Sequence, residues 1–395
     1  MKALVITEPG RFEVQEVATP EPGPYQARVR VETMALCNAT DRKLVEGHFP
    51  GMETYPMVLG HENAGIVEKV GEKATCFKVG DRVLGGMVFD FGVPGLVGGW
   101  GGFSEYVLVN DHDAMERDGI ADAAHGWYDS CIIQNVVPEG IGADEAAVLC
   151  TWREVYGGIG DFSIRPEHKV LIYGAGPVGL SFVKFTKLMG VKWVGLVDPL
   201  PNKRELARKM GADETFASAD VNFPKETFDV IVDAVGNEKI VNAAIPMIKL
   251  GGTIGVYGVI SQPTLLLEKG KGPYNFNLII HQWPTRWRER AAMAPLCKWI
   301  KEGKLSASEF VTHRFNIAEL GRLAAKVVDL LRTAERLQVR GVQQPRQRLL
   351  RQLVNVDHRI SPCADLATSS VSSAPRRPQR TSFTRAKTLG AVPMP

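Results

Sequence analysis

Two stretches of this 395-residue chain carry residue types whose spacing could do chemistry. In Lys169-Val-Leu-Ile-Tyr-Gly174-Ala-Gly176-Pro-Val178-Gly179-Leu, a GxGxxG pattern follows a hydrophobic strand and opens a helix. Gly174 permits the tight turn, Gly176 lets backbone approach a pyrophosphate, and Gly179 allows close helix packing. Val178 lies inside the same turn. The helix start presents N–H groups without intrahelical partners to the anion. A second strand, Trp193-Val-Gly-Leu-Val197, ends at Asp198, 19 residues beyond Gly179, where a carboxylate can accept hydrogen bonds from an adenosine ribose. This is a dinucleotide fingerprint. Asp198 would repel a 2′-phosphate, so NAD is expected over NADP, although Lys203 and Arg204 stand close enough to soften that preference.

Cys37, the dipeptide His61-Glu62, and Cys150 form the other constellation. A catalytic zinc takes three protein ligands and keeps a position open for water or substrate, and two cysteines with one histidine make such a set. Spacing does not decide it. The ligands are 24 and 89 residues apart and only the fold can bring them together. A lone cysteine is more often a small buried hydrophobe than a ligand.

Both constellations need elements to hold them. Residues 1 to 152 read as short β-rich runs such as Ala27–Glu32, Gly65–Val70 and Tyr106–Val109, punctuated by Pro20–Pro24, Val79-Gly80-Asp81 and the Gly-rich 92–102. A β-barrel is expected there. From 153 to 290 strands alternate with helices: Lys169–Tyr173, Val194–Val197, Val230–Ala234 and Thr253–Tyr257 are separated by helical segments from Val178, Lys203 and beyond Gly236. Such alternation predicts a parallel sheet with helices on both faces. Helical spacing recurs over Leu296–Lys301 and Ile317–Leu337, with no legible closing strand after it.

Composition narrows the partners. The chain is 45% hydrophobic and 23% charged, an ordinary globular balance. Ten Lys/Arg against two Asp give residues 340–395 a net +8 and leave residues 1–339 at −5. An acidic body argues against a nucleic-acid partner, which needs a clustered basic face. The Ser/Pro/Arg composition of 341–395 cannot bury a core and is expected to be a disordered tail. Six irregularly spaced cysteines make no disulfide framework. No apolar run reaches the ~20 residues of a membrane span. The opening residues meet Glu8 and Pro9 before a signal core accumulates. A cytoplasmic protein with no membrane partner is expected.

The motifs Leu36-Cys37-Asn-Ala-Thr40-Asp41, Leu59-Gly60-His61-Glu62-Asn-Ala-Gly65, Phe77-Lys-Val-Gly80-Asp81-Arg82-Val83, the nucleotide loop, Gly251-Gly252-Thr-Ile-Gly255 and Val311-Thr-His313-Arg314-Phe315 occur in this order. Together they resemble the zinc-dependent medium-chain alcohol/polyol dehydrogenases of the sorbitol-dehydrogenase type, over residues 1 to about 320. The resemblance implies an α/β architecture: a GroES-like β-barrel catalytic domain (1–152, with a return at about 291–337) and a Rossmann doubly wound parallel sheet (153–290). It implies zinc ligation by Cys37, His61 and Cys150, with Glu62 as a neighbouring carboxylate able to reach the metal, and a homodimer or homotetramer. One catalytic zinc is expected and no structural zinc, because residues 86–105 hold no cysteine.

Two positions depart from the family pattern. The hydroxyl usual two residues after the first ligand is Ala39, with Thr40 next along, and the usual histidine five residues after it is Arg42, which cannot act as a base. Thr40 is left as the candidate to pass the proton onward. Glu154, four residues after Cys150, lies either near the nicotinamide end or in solvent. His48, Phe49, Trp100 and Trp152 are pocket candidates, while Cys76 and Cys297 are expected in the core. The implied reaction is hydride transfer between NAD and a secondary alcohol, polyol or sugar. The rival expectations are a catalytically silent nucleotide-binding protein and a zinc-free quinone or enoyl reductase.

Overall fold

The computed structural model describes residues 1–316 and 337–340, apart from 38, 50, 86–92, 218–220 and 261. The helix expected over 317–336 and the tail 341–395 lie outside the described residues.

The first half is β-structure, antiparallel except where β4 pairs with β7. Its elements are β1 (Lys2–Glu8), β2 (Arg11–Glu16), β3 (Gln26–Leu36), α1 (Thr40–Val45), β4 (Met57–Leu59), β5 (Glu62–Val70), β6 (Arg82–Leu84), β7 (Val97–Gly99), β8 (Tyr106–Asn110) and α2 (His112–Arg117). β3 shows why: Ala27, Val29 and Val31 are buried while Arg28, Arg30 and Glu32 between them are partly exposed, the two-residue alternation of a strand with one face on a core. One sheet runs β2-β1-β4-β7, and β3 pairs with both β5 and β8 in a second.

The second half begins with a long helix, α3 (Ala143–Asp161), followed by β9 (Lys169–Tyr173), α4 (Pro177–Leu188), β10 (Trp193–Val197), α5 (Pro201–Lys209), β11 (Glu214–Phe216), β12 (Phe228–Asp233), α6 (Glu238–Ala244), β13 (Ile248–Val256) and β14 (Asn277–Ile280). These strands form a parallel sheet in the order β11-β10-β9-β12-β13-β14, reversing direction of travel between β9 and β12. β9 reads Lys-Val-Leu-Ile-Tyr with its last four residues buried, as a strand covered on both faces requires. Pro177 and Pro201 open their helices, where a missing N–H costs nothing.

The chain then passes through α7 (Arg286–Ala291) and α8 (Met293–Lys301) and rejoins the barrel as β15 (His313–Asn316) and β16 (Leu337–Arg340). β16 is the closing strand that was not legible in the sequence: it lies parallel to β15 and antiparallel to β3, pairing Leu337 with Leu36 and Arg340 with Thr33. Two neighbouring strands, rather than its own short text, determine its conformation.

α3 runs unbroken through the 152/153 position at which the sequence suggested a domain boundary. Its apolar face belongs to one core that contains Ala35, Ala64 and Leu84 of the barrel strands together with Val170, Ile172 and Val230 of the parallel sheet. Trp152 sits at 0% exposure in that core, edge-on to Phe310 at 5.3 Å, so it is a packing residue and not a pocket wall. Cys297 is buried there too, whereas Cys76, expected inside, is exposed.

Candidate active site

The end of β3, the turn between β4 and β5, and the first residue of β5 bring Cys37, His61 and Glu62 together. One ligand atom from each lies within 4.8 Å of the others, and this is the one such group of metal-binding side chains among the described residues. His61 is 8% exposed and Glu62 1%. The imidazole has Glu62 Oε1 3.8 Å from Nε2 and Asp41 Oδ1 3.9 Å from Nδ1. Asp41, buried at the start of α1, accepts a hydrogen bond from the Cys37 amide at 2.8 Å and so ties the loop to the cluster. Sequence reading quoted Asp41 within a motif but gave it no task.

The electrostatics ask for a cation. Burial alone would lower the His61 pKa, but hydrogen bonding and charge from Cys37, with Asp41 and Glu62, outweigh it and push it up to about 10. Burial raises Asp41 to about 6 against the pull of His61 and the Cys37 amide. His61 Nδ1 has no hydrogen-bond partner although it is buried. A soft thiolate, an imidazole and a carboxylate at this spacing suit a divalent zinc, and the negative groups gathered around one ring are what such an ion would neutralise.

Cys150, expected as a further ligand, is not part of that group. Its sulfur lies against the Asn63 carbonyl at 3.8 Å, and burial pushes its thiol up to about 12. Thr40 begins α1, partly exposed and outside the cluster.

Aromatic rings wall the cluster. Trp100, 2% exposed, stands edge-on to His61 at 5.3 Å and to Phe49 at 5.4 Å, and Phe49 stacks on Trp283 at 6.4 Å. Trp100 holds a left-handed backbone, φ 71°, a conformation uncommon for a bulky residue. Phe49 and Trp100 were expected there. His48 points to solvent, and Trp283, more than two hundred residues away in sequence, carried no signal.

Behind the cluster lie ionic groups no sequence pattern joins. Arg153, fully buried, donates to Asn135 Oδ1 and the Ile133 carbonyl, and lies 4.0 Å from Glu289. Arg286 donates to Glu289 at 2.9 Å. Glu154, on α3, has His61, Glu62, Glu289 and Arg286 as charged neighbours, and burial with Glu289 pushes it up to about 7. Tyr257, just past β13, feels Glu154, Glu289, Cys37 and Glu62, and with burial its phenol is raised well above the ordinary value.

The glycine loop stands at the carboxyl end of the parallel sheet. Gly174 has φ 96°, and a Cβ at Gly179 would meet the Gly174 carbonyl oxygen at 1.8 Å. At Gly176 a Cβ would meet nothing within 4 Å, so the loop leaves open space just where the helix α4 begins. Asp198, 9% exposed, accepts from the Ala175 amide at 2.8 Å and the Leu200 amide at 2.9 Å, linking the loop to the end of β10. Val178 and Lys203 are partly buried on α4 and α5, and Arg204 caps the Asp198 and Pro199 carbonyls at 2.7 and 2.8 Å.

Comparison with known proteins supplies the rest. The family described as alcohol dehydrogenase GroES-like domain matches residues 23–118, and that described as zinc-binding dehydrogenase matches residues 177–278. An alcohol dehydrogenase of Rhizobium meliloti is 30% identical, over 66% of this chain and 77% of its own length. The chain belongs to the zinc-type medium-chain alcohol/polyol dehydrogenases. A sorbitol dehydrogenase of Halalkalibacterium halodurans is 27% identical over 81% of this chain and 94% of its own. The alcohol dehydrogenase rspB of Escherichia coli CFT073, solved with NADH, shares the fold with a TM-score of 0.69 at 21% identity, over 86% of this chain and 99% of that one. The protein is therefore an alcohol/polyol oxidoreductase, and the silent-binder and quinone-reductase alternatives are not favoured.

Proposed function

We propose that this chain transfers hydride between NAD and a secondary alcohol, polyol or sugar, using one catalytic zinc held by Cys37, His61 and Glu62. The observation that carries the reading is the convergence of those three side chains within 4.8 Å in a buried, anion-rich pocket. Zinc bound there supplies Lewis acidity, which lowers the pKa of a ligated alcohol. The protein's own groups do the rest. Asp41 fixes the Cys37 amide and faces His61, the kind of supporting contact that orients metal ligands. Buried Trp100 and Phe49 exclude water, and half-exposed Trp283 stacked on Phe49 adds apolar surface for the carbon skeleton.

The open backbone at Gly176 and the amide ends of α4 receive the pyrophosphate, and Asp198 accepts from the adenosine ribose, favouring NAD over NADP. Arg204 donates through Nη1 to the Asp198 and Pro199 carbonyls and keeps its charge beside Asp198, which tempers that preference. Thr40 remains the hydroxyl nearest in sequence to Cys37 that could pass the substrate proton outward.

The division into a catalytic part and a Rossmann part, with return of the chain after about 291, belongs to the same reading and is supported by β15 and β16 joining the β3 sheet. A homodimer or homotetramer is favoured by β14 standing at the edge of its sheet among the described residues, with Ile280 50% exposed, and by the exposure of Leu266 and Tyr274. No described helix is long and apolar enough to cross a membrane, and the five described cysteines are free, which supports a reducing, cytoplasmic setting.

Metal analysis joined to NADH formation across a panel of secondary alcohols, sorbitol and vicinal diols tests the reading. The expected result is about one zinc per chain and turnover with NAD on at least one member. Protein that binds NADH and contains no zinc would overturn it.

A further inference from the structure

One basic side chain crosses from the metal half of the molecule to the cofactor half. Lys43 stands on α1, and its backbone carbonyl accepts from the His48 amide at 2.8 Å, which fixes its root beside Phe49 of the aromatic wall. Its ammonium donates to the Val259 carbonyl at 3.5 Å, just past the end of β13. The amides of Tyr257 and Gly258 donate to the Asp233 carbonyl at 2.9 and 3.0 Å, so the segment that carries Val259 lies on the carboxyl end of β12 as well. Root and tip of Lys43 therefore border the gap between the metal half and the end of the parallel sheet.

The sheet order says what that gap holds. With the pyrophosphate at the start of α4, after β9, and the adenosine toward Asp198 at the end of β10, the nicotinamide half extends the opposite way, over β12 and β13. The substrate carbon must stand within ~3.5 Å of that ring while its oxygen faces the metal ligands. Lys43 is a wall of this space. Its ammonium is also poorly partnered: three N–H donors share one neutral carbonyl at the long limit of a hydrogen bond. No described carboxylate forms an ion pair with it, whereas Arg42 beside it has Glu46 at 3.7 Å. Burial and then Arg42 lower the Lys43 pKa, against the pull of Cys37, as expected of a half-buried cation short of a counter-ion.

We propose that Lys43 selects a substrate bearing an anionic group, carboxylate or phosphate, on its hydroxylated chain, which makes the enzyme a dehydrogenase of sugar acids or polyol phosphates rather than of neutral polyols. The inference rests on the dehydrogenase reading above and narrows its substrate class. The anionic oxygen accepts the donors that Val259 leaves free, and such a charge-assisted pair is stronger than a bond to a neutral hydroxyl. One secondary carbinol then loses hydride to NAD and its hydroxyl proton to solvent, and the product is a ketone bearing the same anion.

Paired substrates test it. NADH formation by the zinc-loaded protein is followed with hexonates and with hexitol phosphates, each beside the neutral hexitol of the same configuration, and calorimetry gives the Kd of the same anions for the protein–NADH complex. At least one anionic member should exceed its neutral partner by about tenfold or more in kcat/KM, the worth of one hydrogen bond to a charged group. Whether that member carries carboxylate or phosphate identifies the anion. In K43M, which keeps the length without the charge, the ratio should fall about tenfold through KM, the calorimetric Kd should rise by the same factor, and K43R should retain most of both. No anionic preference, a ratio unchanged in K43M, or a K43M loss confined to NADH affinity would each overturn the proposal, the last by placing the ammonium on the cofactor's pyrophosphate. Protein that carries no zinc and forms no NADH with any member, charged or neutral, would instead sink the dehydrogenase reading itself.

Discussion

The metal cluster and the glycine loop are built by opposite means. At the cluster, side chains do the work: Cys37, His61 and Glu62 converge from separate elements, crowd like charges together and leave a buried imidazole nitrogen unsatisfied. At the loop, backbone does it: Gly174, Gly176 and Gly179 shape a space in one contiguous segment, and the Asp198 carboxylate there is already met by two amides. A site that stores electrostatic tension depends on its guest for stability, whereas a site made of backbone shape stands ready without it.

The comparison can be broken from either side. The largest effect is expected from Cys37→Ser, which should abolish zinc binding and reduce kcat by more than about 100-fold, beyond what loss of a supporting contact costs, while leaving NADH affinity intact. Zinc content, steady-state rates and NADH fluorescence measure all three, and parallel loss of NADH binding would erase the distinction drawn between the two regions.

Next comes the loop. Gly179→Ala forces a Cβ onto the Gly174 carbonyl at 1.8 Å and should lower stability by about 1–3 kcal/mol, as overpacking does. Gly176→Ala meets no protein atom and should leave the melting temperature unchanged while weakening NADH binding. Thermal melts beside NADH titrations separate a glycine needed by the fold from one needed by the ligand. Equal melting temperatures for the two variants would contradict this division.

A smaller effect is expected from Asp41→Asn. It keeps the shape but removes the charge facing His61 and weakens the anchor on Cys37, so zinc affinity should fall about 10–100-fold with the fold intact. Competition with a chelator measures it.

The smallest effect lies outside both sites. Asp111 accepts from the Thr75, Cys76 and Ala114 amides at 2.6, 2.8 and 2.9 Å, and these bonds, overcoming burial, hold its carboxyl below the usual aspartate range. A depressed folded pKa contributes stability above the unfolded value, ~3.9, and loses it as pH falls through the folded one. The melting-temperature gap between Asp111→Asn and the unaltered chain should therefore be full near neutrality and close only in strong acid. A gap that is constant with pH would show that the aspartate charge plays no part.

Legibility follows the same contrast. The glycine loop could be read because its strand, turn and helix are contiguous and each residue type has a local reason. The alternation of β9, α4, β10 and α5 was equally plain, since hydrophobic period and helix-opening prolines are local signals. The metal residues gained meaning only through the resemblance of several motifs, and Cys150 shows the limit of that: its type fits a ligand, but its sulfur stands outside the group that Cys37, His61 and Glu62 form. Glu154 and Glu289 are 135 residues apart and Asp41 is one acid among many, so their nearness to the cluster exists only in three dimensions. β16 escaped because Leu-Gln-Val-Arg is too short to show a period, and it is a strand by virtue of the neighbours on either side.

The uninterrupted course of α3 bears on how this enzyme can be taken apart. A cut at residue 152 would sever a helix whose apolar side is owed to both halves, exposing Trp152, Val155 and Phe162 together with the sheet surfaces they cover. Separate expression of the two halves should give sticky, insoluble fragments.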